Sequence, residues 1–328
     1  MRVALALGWA ATAAMAIRLT MRRRRSGVPR ALTAYRREAA VAIRLARRCG
    51  AAMVSADAAM RSAAWKDGAG GIDPCTATDR DNETAVCHRL AREFPDHAVI
   101  GEEAAAAAGC VPAADPLIPT WIVDPVDGTQ NFFHDFPAAC VSIGLALGGR
   151  PRLGVVYDPQ RDETFVAVRG EGAFLNGERM AVPRSDAPTT LETALVLTDP
   201  GYERSPPGIA KLAALHRNLL AARTRAIRIV GSTVLSLLWV CAGRADAMVV
   251  GVGDGGDSPK PWDWCAAAVF ARETGCAMEA IDGRRDPAAV GGAIPGEFDL
   301  YAMSCVGART RGLADAVLAA ARSARAAV

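Results

Sequence analysis

The run Trp121-Ile122-Val123-Asp124-Pro125-Val126-Asp127-Gly128-Thr129 constrains this chain more than any other stretch. Trp121, Ile122 and Val123 are consecutive apolar residues of β type, so a short buried strand is expected. It ends in two carboxylates. Pro125 has no N–H to continue a ladder, so a turn is expected between Asp124 and Asp127. Gly128 lets the backbone come close to a ligand. Thr129 offers a hydroxyl and an N–H where a helix could begin. Two carboxylates converging at a strand end repel each other unless a cation lies between them. Hard cations such as Mg²⁺ take oxygen ligands, often one or two carboxylates with water and substrate phosphate. The N–H groups after the acids would face an anion. On these residues alone, a metal-and-phosphate site and an Asp-Pro-x-Asp-Gly surface turn both stay open.

Composition narrows the class of chain. Its 328 residues, 51% hydrophobic and 22% charged, suit a folded protein with a sizeable core. The net charge of +3 is unevenly spread, because Glu38 is the only acid among the first fifty residues. The remainder is near neutral or slightly acidic, so no nucleic-acid-binding surface is expected. The nine cysteines form no C-x-x-C pair, which removes a zinc framework and fits a reducing compartment. Residues 1–30 stand apart as a leader. Val3 to Ile17 is apolar but shorter than the ~20 residues of a membrane span, and Arg22 to Arg25 follows. A short membrane anchor through residues 3–17, an organelle transit peptide and a non-native start all remain open. A cytoplasmic location is the main expectation.

Along the chain, the spacing predicts a helix within Ala31–Met60 and another from about Arg80 to Phe94, which Thr78 or Asp79 could cap. Ala98 to Glu103 reads as a strand ending in two acids. Because strand side chains alternate, only Glu102 or Glu103 can point inward. Ala104 to Asp115 reads as a low-complexity loop. Strands follow at Cys140–Leu147, Leu153–Tyr157 and Glu163–Val168, with a hairpin turn at Asn176-Gly177. The first half thus reads as two helices on an antiparallel meander.

The second half alternates: strand Leu195–Leu197, helix Ile209–Ala222, strand Ala226–Val230, helix to Cys241 capped by Ser232, strand Ala245–Val250. Helix Trp262–Thr274, closed by Gly275, precedes strands Ala277–Ile281 and Leu300–Ser304 and a last helix, Thr310–Ala327. The expected class is α/β, mixed α+β. The expected division is 31–188, carrying most candidate metal ligands, and 189–328, carrying Asp263 and substrate contacts.

Four separated places present acids at element ends: Asp79, Glu102, Asp124 with Asp127, and Asp263. Each alone has an ordinary reading, Asp79 as a helix cap and Glu102 as an exposed loop start. Together they suit a multi-metal site for in-line phosphoryl transfer. Their motifs stand in a recognisable order. Thr76-Ala77-Thr78-Asp79, Ile100-Gly101-Glu102-Glu103, Trp121 through Thr129, Asn131-Phe132, Val141-Ser142-Ile143-Gly144, Gly154-Val155-Val156-Tyr157, Gly231-Ser232-Thr233, Ala245-Asp246-Ala247 and Trp262-Asp263 resemble the inositol monophosphatase family of lithium-sensitive, magnesium-dependent phosphatases.

That resemblance, from about Ala31 to the C-terminus, implies a layered αβαβα sandwich of the sugar-phosphatase type and a homodimer. It implies two to three Mg²⁺ ions held by Glu102, Asp124, the Val126 carbonyl, Asp127 and Asp263. It gives Thr129, assisted by Asp79, the task of orienting the attacking water and taking its proton. Gly128 and Thr129 would bind phosphate, and Gly231, Ser232 and Thr233 would line the substrate. Glu103 is expected to face away, and His134 and His216 to be ordinary packing or surface residues. The implied activity is hydrolysis of inositol phosphate. Alternatives are phosphatases of histidinol phosphate, sugar phosphates or 3′-phosphonucleotides, and, in another class, a catalytically silent phosphate-sensing protein. One departure stands out. Inositol-specific members carry an acid after the Ala-Asp-Ala strand, where this chain has Val249-Val250. A hydroxyl would lose a charged acceptor there unless Asp254 or Asp257 replaces it.

Overall fold

Side chains alternate along the buried strands, and that alternation divides the protein into layers. Trp121 and Val123 face one hydrophobic cluster, while Ile122 between them faces another. A strand buried on both sides needs cover on both faces, and helices provide it. The computed structural model describes residues 27–66, 71–114, 116–181, 190–253, 258–286, 294 and 296–327. The expectations placed on Val3 to Ile17, Asp254 and Asp257 lie outside them. Among the described residues no helix is long and apolar enough to cross a membrane.

In chain order come helix α1 (Arg36–Ser55), strands β1 (Ala63–Trp65) and β2 (Pro74–Thr76), helix α2 (Ala77–Glu93), strand β3 (Ala98–Gly101) and helix α3 (Glu102–Ala108). Strand β4 (Thr120–Asp127), helix α4 (Thr129–Phe133) and strands β5 (Cys140–Leu147), β6 (Arg150–Asp158), β7 (Glu163–Val168), β8 (Gly172–Leu175) and β9 (Glu178–Arg179) follow. The second half is β10 (Leu195–Asp199), α5 (Pro206–Ala221), β11 (Ala226–Ile229), α6 (Thr233–Cys241), β12 (Ala247–Val250), α7 (Pro261–Thr274), β13 (Ala277–Glu279), β14 (Cys305–Ala308) and α8 (Arg311–Ala326).

Strands β3 to β9 pair in sequence order as one sheet, parallel only between β3 and β4. A second sheet has the order β11-β10-β12-β14-β13, with β10 parallel to both its neighbours. Helices α1 and α2 cover the outer face of the first sheet. Helices α6 and α7 lie between the sheets, and α5 and α8 cover the far side of the second. This is the expected αβαβα sandwich. Burial explains the sequence of each layer: α6 (TVLSLLWVC) is apolar almost all round because it is enclosed, whereas α1 and α8 carry arginines on their open sides.

The central helix α7 sits unusually close to the first sheet, for a reason visible in two residues. Gly144 and Gly154 are cross-strand partners on β5 and β6. A Cβ on Gly144 would lie 2.5 Å from Cys265 Sγ, and one on Gly154 would lie 2.5 Å from the Ala266 carbonyl. The two missing side chains form the bed of the helix. The Ser142 hydroxyl also donates to the Trp262 carbonyl (3.4 Å), tying the start of α7 to β5.

Several expected boundaries move. The helix expected from Arg80 begins at Ala77, because Thr76 and not Thr78 or Asp79 is its N-cap. Part of the expected loop Ala104–Asp115 is helix α3. Its amide groups are capped by a distant acceptor: Glu83 of α2 takes the N–H of Glu103 (2.7 Å) and of Ala104 (2.8 Å). The last strand is Cys305–Ala308, not Leu300–Ser304. The Asn176-Gly177 turn has both residues at positive φ, 51° and 81°, as a tight hairpin of this composition requires.

Candidate active site

Asp124 and Asp127 are three residues apart, so a regular strand would send them to opposite faces. The strand does not turn between them, as the sequence suggested, but bulges. Asp124 pairs with Ser142 and Asp127 with Cys140, so three steps on β4 match two on β5. The extra residue re-phases the strand and brings both acids to one side. Pro125, with no N–H to lose, sits inside the bulge. The Val126 N–H donates to Asp124 Oδ1 (3.0 Å) and fixes the irregular segment. Gly128 then takes φ 86°, and α4 starts at Thr129.

The third acid arrives on α7. Asp263 is the third residue of that helix, and the Lys260 N–H donates to its Oδ2 (2.6 Å). One carboxylate oxygen each from Asp124, Asp127 and Asp263 lies within 4.8 Å of the others. Glu102, the first residue of α3, adjoins Asp124 and accepts from Lys66 Nζ (2.7 Å). Glu103 does not face away. Its carboxylate reaches the same ammonium at 3.0 Å. The reason is that β3 stops at Gly101, so the two glutamates are consecutive residues of a helix start and not alternating residues of a strand.

Burial pushes Asp124 well above the usual carboxylate range, and the neighbouring Glu102, Asp127 and Asp263 charges push it further. Burial likewise raises Asp263, with Asp127 as the next cause. Asp127 is raised by burial to about 6, against hydrogen bonds from Ser232 and Cys140. Burial, with the Glu102 charge beside it, raises Glu103 to about 7. The clustered donors are carboxylate oxygens, buried or half-buried and mutually repelling, which suits a hard divalent cation.

Asp79, on α2, meets the site through Thr129. Its Oδ2 accepts from the Thr76 N–H (2.9 Å) and hydroxyl, closing the capping box of α2. Its Oδ1 accepts from the Thr129 hydroxyl (3.1 Å). The ordinary reading of Asp79 as a helix-start residue accounts for one oxygen, and the other faces Thr129. Burial raises its carboxyl to about 6, opposed by the Thr76 contacts. The Thr129 hydroxyl also lies 2.9 Å from the Val126 carbonyl, the expected metal ligand, which is an alternative acceptor for its single proton.

The second half of the chain meets the first through backbone. A Cβ on Gly128 would lie 3.2 Å from the Gly231 carbonyl and 3.3 Å from Ser232 Cβ. The Asn131 amide donates to the carbonyls of Ala138 (2.8 Å), Val230 (2.8 Å) and Gly231 (3.0 Å). Ser232, expected to touch substrate, is buried. Its hydroxyl donates to Asp127 Oδ2 and accepts from the Leu235 N–H, and the Val234 N–H adds a 3.2 Å bond to the same oxygen. Gly231 and Thr233 remain half-open at the head of α6. His216, expected as a packing residue, bonds Thr198 at 3.0 Å. Sequence reasoning missed Lys66, Asn131, Cys140 and Glu83, whose roles come from long-range contacts. Only the Asn131-Phe132 pair had stood in a motif.

The comparisons agree with this arrangement. A family model described as the inositol monophosphatase family matches residues 35–326. The chain is 42% identical over 206 residues to inositol monophosphatase 1 of Solanum lycopersicum, covering 63% of this chain and 71% of that protein. It is 35% identical over 276 residues to inositol monophosphatase 2 of Rattus norvegicus, covering 84% and 86%. The solved structure of the Thermotoga maritima IMPase superposes with a TM-score of 0.67 at 28% identity, covering 86% of this chain and 95% of that one. A sandwich of this topology, three converging acids at its first sheet and a match running almost end to end leave one assignment: the chain belongs to the inositol monophosphatase family and is a phosphoric monoester hydrolase.

Proposed function

We propose that the enzyme hydrolyses inositol monophosphates, with Mg²⁺ as its cation and inositol and phosphate as products. The observation that carries this reading is the convergence of Asp124, Asp127 and Asp263 within 4.8 Å of one another, beside the Thr129–Asp79 hydrogen bond. Asp124, Asp127 and Asp263, with Glu102 and the Val126 carbonyl, would hold two to three cations. Bound there, the cations would supply positive charge against the phosphate oxygens and the leaving oxygen, and would make a water nucleophilic near neutral pH.

The protein's own groups do the rest. Gly128, whose lack of a side chain lets the chain approach closely, and Thr129 present backbone N–H groups to the phosphate. The Thr129 hydroxyl takes a hydrogen bond from the attacking water as its own proton is held at Asp79 Oδ1. Asp79 is ionised above about pH 6 and is then the acceptor for that proton. The P–O ester bond breaks as water adds on the opposite side of phosphorus, and the leaving oxygen takes a proton from solvent to give the free alcohol. Ser232 and the Val234 N–H keep Asp127 pointed into the cluster.

The test is phosphate release from a panel of phosphomonoesters, including histidinol phosphate, sugar phosphates and a 3′-phosphonucleotide, with and without Mg²⁺ and Li⁺. Inositol monophosphate as the best substrate, strict need for Mg²⁺ and inhibition by Li⁺ are expected. Equal turnover after complete Mg²⁺ removal would overturn the reading. The silent phosphate-sensor alternative is disfavoured by the intact Thr129–Asp79 bond, which a binding protein does not need. Light scattering at working concentration checks the proposed homodimer, and fractionation of the full chain checks a cytoplasmic location against membrane attachment.

A further inference from the structure

The parallel strands β10 and β12 end at the same level, with Asp199 directly opposite Val250. Ligands of parallel sheets bind beyond the carboxyl ends of the strands. Leu197, Met248 and Val250 face the central layer, whereas Val196, Ala247 and Val249 face the outer cluster. By alternation Asp199 shares the face of Leu197 and points toward the head of α6. Its Oδ1 accepts from the Gly201 N–H (2.9 Å), and the Gly231 N–H also donates to it. Gly231 in turn touches Gly128, the residue placed on the phosphate. One backbone residue therefore separates Asp199 from the phosphate end of the cleft.

A carboxylate only accepts hydrogen bonds, and close to a phosphate dianion it repels. It therefore suits a neutral donor on the alcohol half of the substrate. A carboxylate has about four lone-pair sites, and two backbone donors leave capacity for hydroxyls. Asp199 is also half-open, whereas Asp124 and Asp127 are buried. The other nearby acid, Glu203, is buried against the start of α5, where it accepts from the Ser205 N–H (2.7 Å) and crowds Gly208. Its carboxylate is part of that helix start.

We propose that Asp199 is a specificity-determining residue that accepts hydrogen bonds from hydroxyls of a polyol leaving group, on the strand beside the one that ends in Val250. This rests on the inositol phosphate reading and deepens it. It also makes the loop acids Asp254 and Asp257 unnecessary for that contact.

The experiment compares the full-length wild type with Asp199→Asn and Asp199→Ala at saturating Mg²⁺. Two substrates are used, myo-inositol 1-phosphate and p-nitrophenyl phosphate, whose alcohol has no hydroxyl to donate. The ratio of the two kcat/KM values should fall at least ~10-fold in both variants, mainly through KM for the inositol ester. Mn²⁺ binding, counted by electron paramagnetic resonance, should keep the wild-type stoichiometry. A ratio within about twofold of wild type overturns the proposal, whether both activities fall together or neither does. So does loss of one Mn²⁺, which would make Asp199 a cation ligand. A wild type that turns over p-nitrophenyl phosphate but no polyol phosphate defeats the inositol reading itself. That outcome is distinct, because the other failures leave wild-type inositol phosphate turnover intact.

Discussion

On the side of the site built by β4, α3 and α7, the three aspartates each accept a backbone N–H, and Glu102 is held by Lys66. Val126 holds Asp124, Val234 and Ser232 hold Asp127, and Lys260 holds Asp263. On the other side, β10 and β12 end in one half-open carboxylate beside two buried valines. The first wall carries concentrated, repelling charge that a cation can relieve. Among the described residues, the second carries the Asp199 carboxylate and apolar strand ends. Phosphoryl chemistry requires the first wall almost residue by residue, whereas recognition of the alcohol can be met by an acceptor on either neighbouring strand. The contrast predicts that damage to the first wall removes turnover for every ester, and damage to the second changes which ester is preferred.

The largest effect should come from Asp124→Asn. Phosphate release should drop by ~10³-fold or more for all substrates, about 4 kcal/mol of lost transition-state stabilisation. Added Mg²⁺ should then raise the melting temperature far less than in wild type. Activity within tenfold of wild type would break the contrast. Next is Thr129→Val, which keeps the shape and removes the hydroxyl. A fall in kcat of ~10²–10⁴-fold is expected with KM little changed, read in steady-state kinetics on two unrelated esters.

Gly154→Ala probes how the first wall is assembled. The new methyl would press on the Ala266 carbonyl at 2.5 Å, so α7 must shift. A loss of about 1–3 kcal/mol in denaturant unfolding is expected, with reduced Mg²⁺ affinity because Asp263 moves with the helix. An unchanged midpoint would show that α7 is not bedded on the glycine pair.

The smallest expected effect concerns pH. Asp79 and Asp127 are raised from 3.8 to about 6 in the metal-free fold. A carboxyl with a raised folded pKa contributes stability that is fully present below its unfolded pKa. That contribution is lost as pH rises through the folded value. The metal-free protein should therefore lose stability between about pH 4 and pH 6, and more as Glu103 titrates near 7. Cations compete with protons for these oxygens, so the gain in melting temperature on adding Mg²⁺ should be larger at pH 8 than at pH 5. Calorimetry at both values decides it. An equal gain at each would mean that the acids are already ionised.

What could be read from the sequence follows the same division. The β4 acids, Asp79, Glu102 and Asp263 were visible because each ends an element beside turn or cap residues. Local chemistry announces such places. The bulge was not visible: Pro125 signalled an interruption, but only pairing with β5 turns an interruption into a re-phased strand. Helix α3 was missed because its cap, Glu83, lies on another helix. Glu103 was placed on the wrong side because the strand ended at Gly101, two residues before the end expected for it. The acceptor on β10 could not be seen at all, since nothing in Thr198-Asp199-Pro200 reveals which strand lies alongside it.

Asp79 gives one oxygen to the start of α2 and the other to Thr129. An insertion or deletion in the β1–β2 segment that re-registered the first turn of α2 would therefore silence turnover and leave the sandwich standing. Lys66 and Thr76, near the two ends of this segment, must keep their places for Glu102 and Asp79 to be held as they are. A library randomised over that segment would contain many well-expressed, inert proteins, and sorting on yield alone would enrich them.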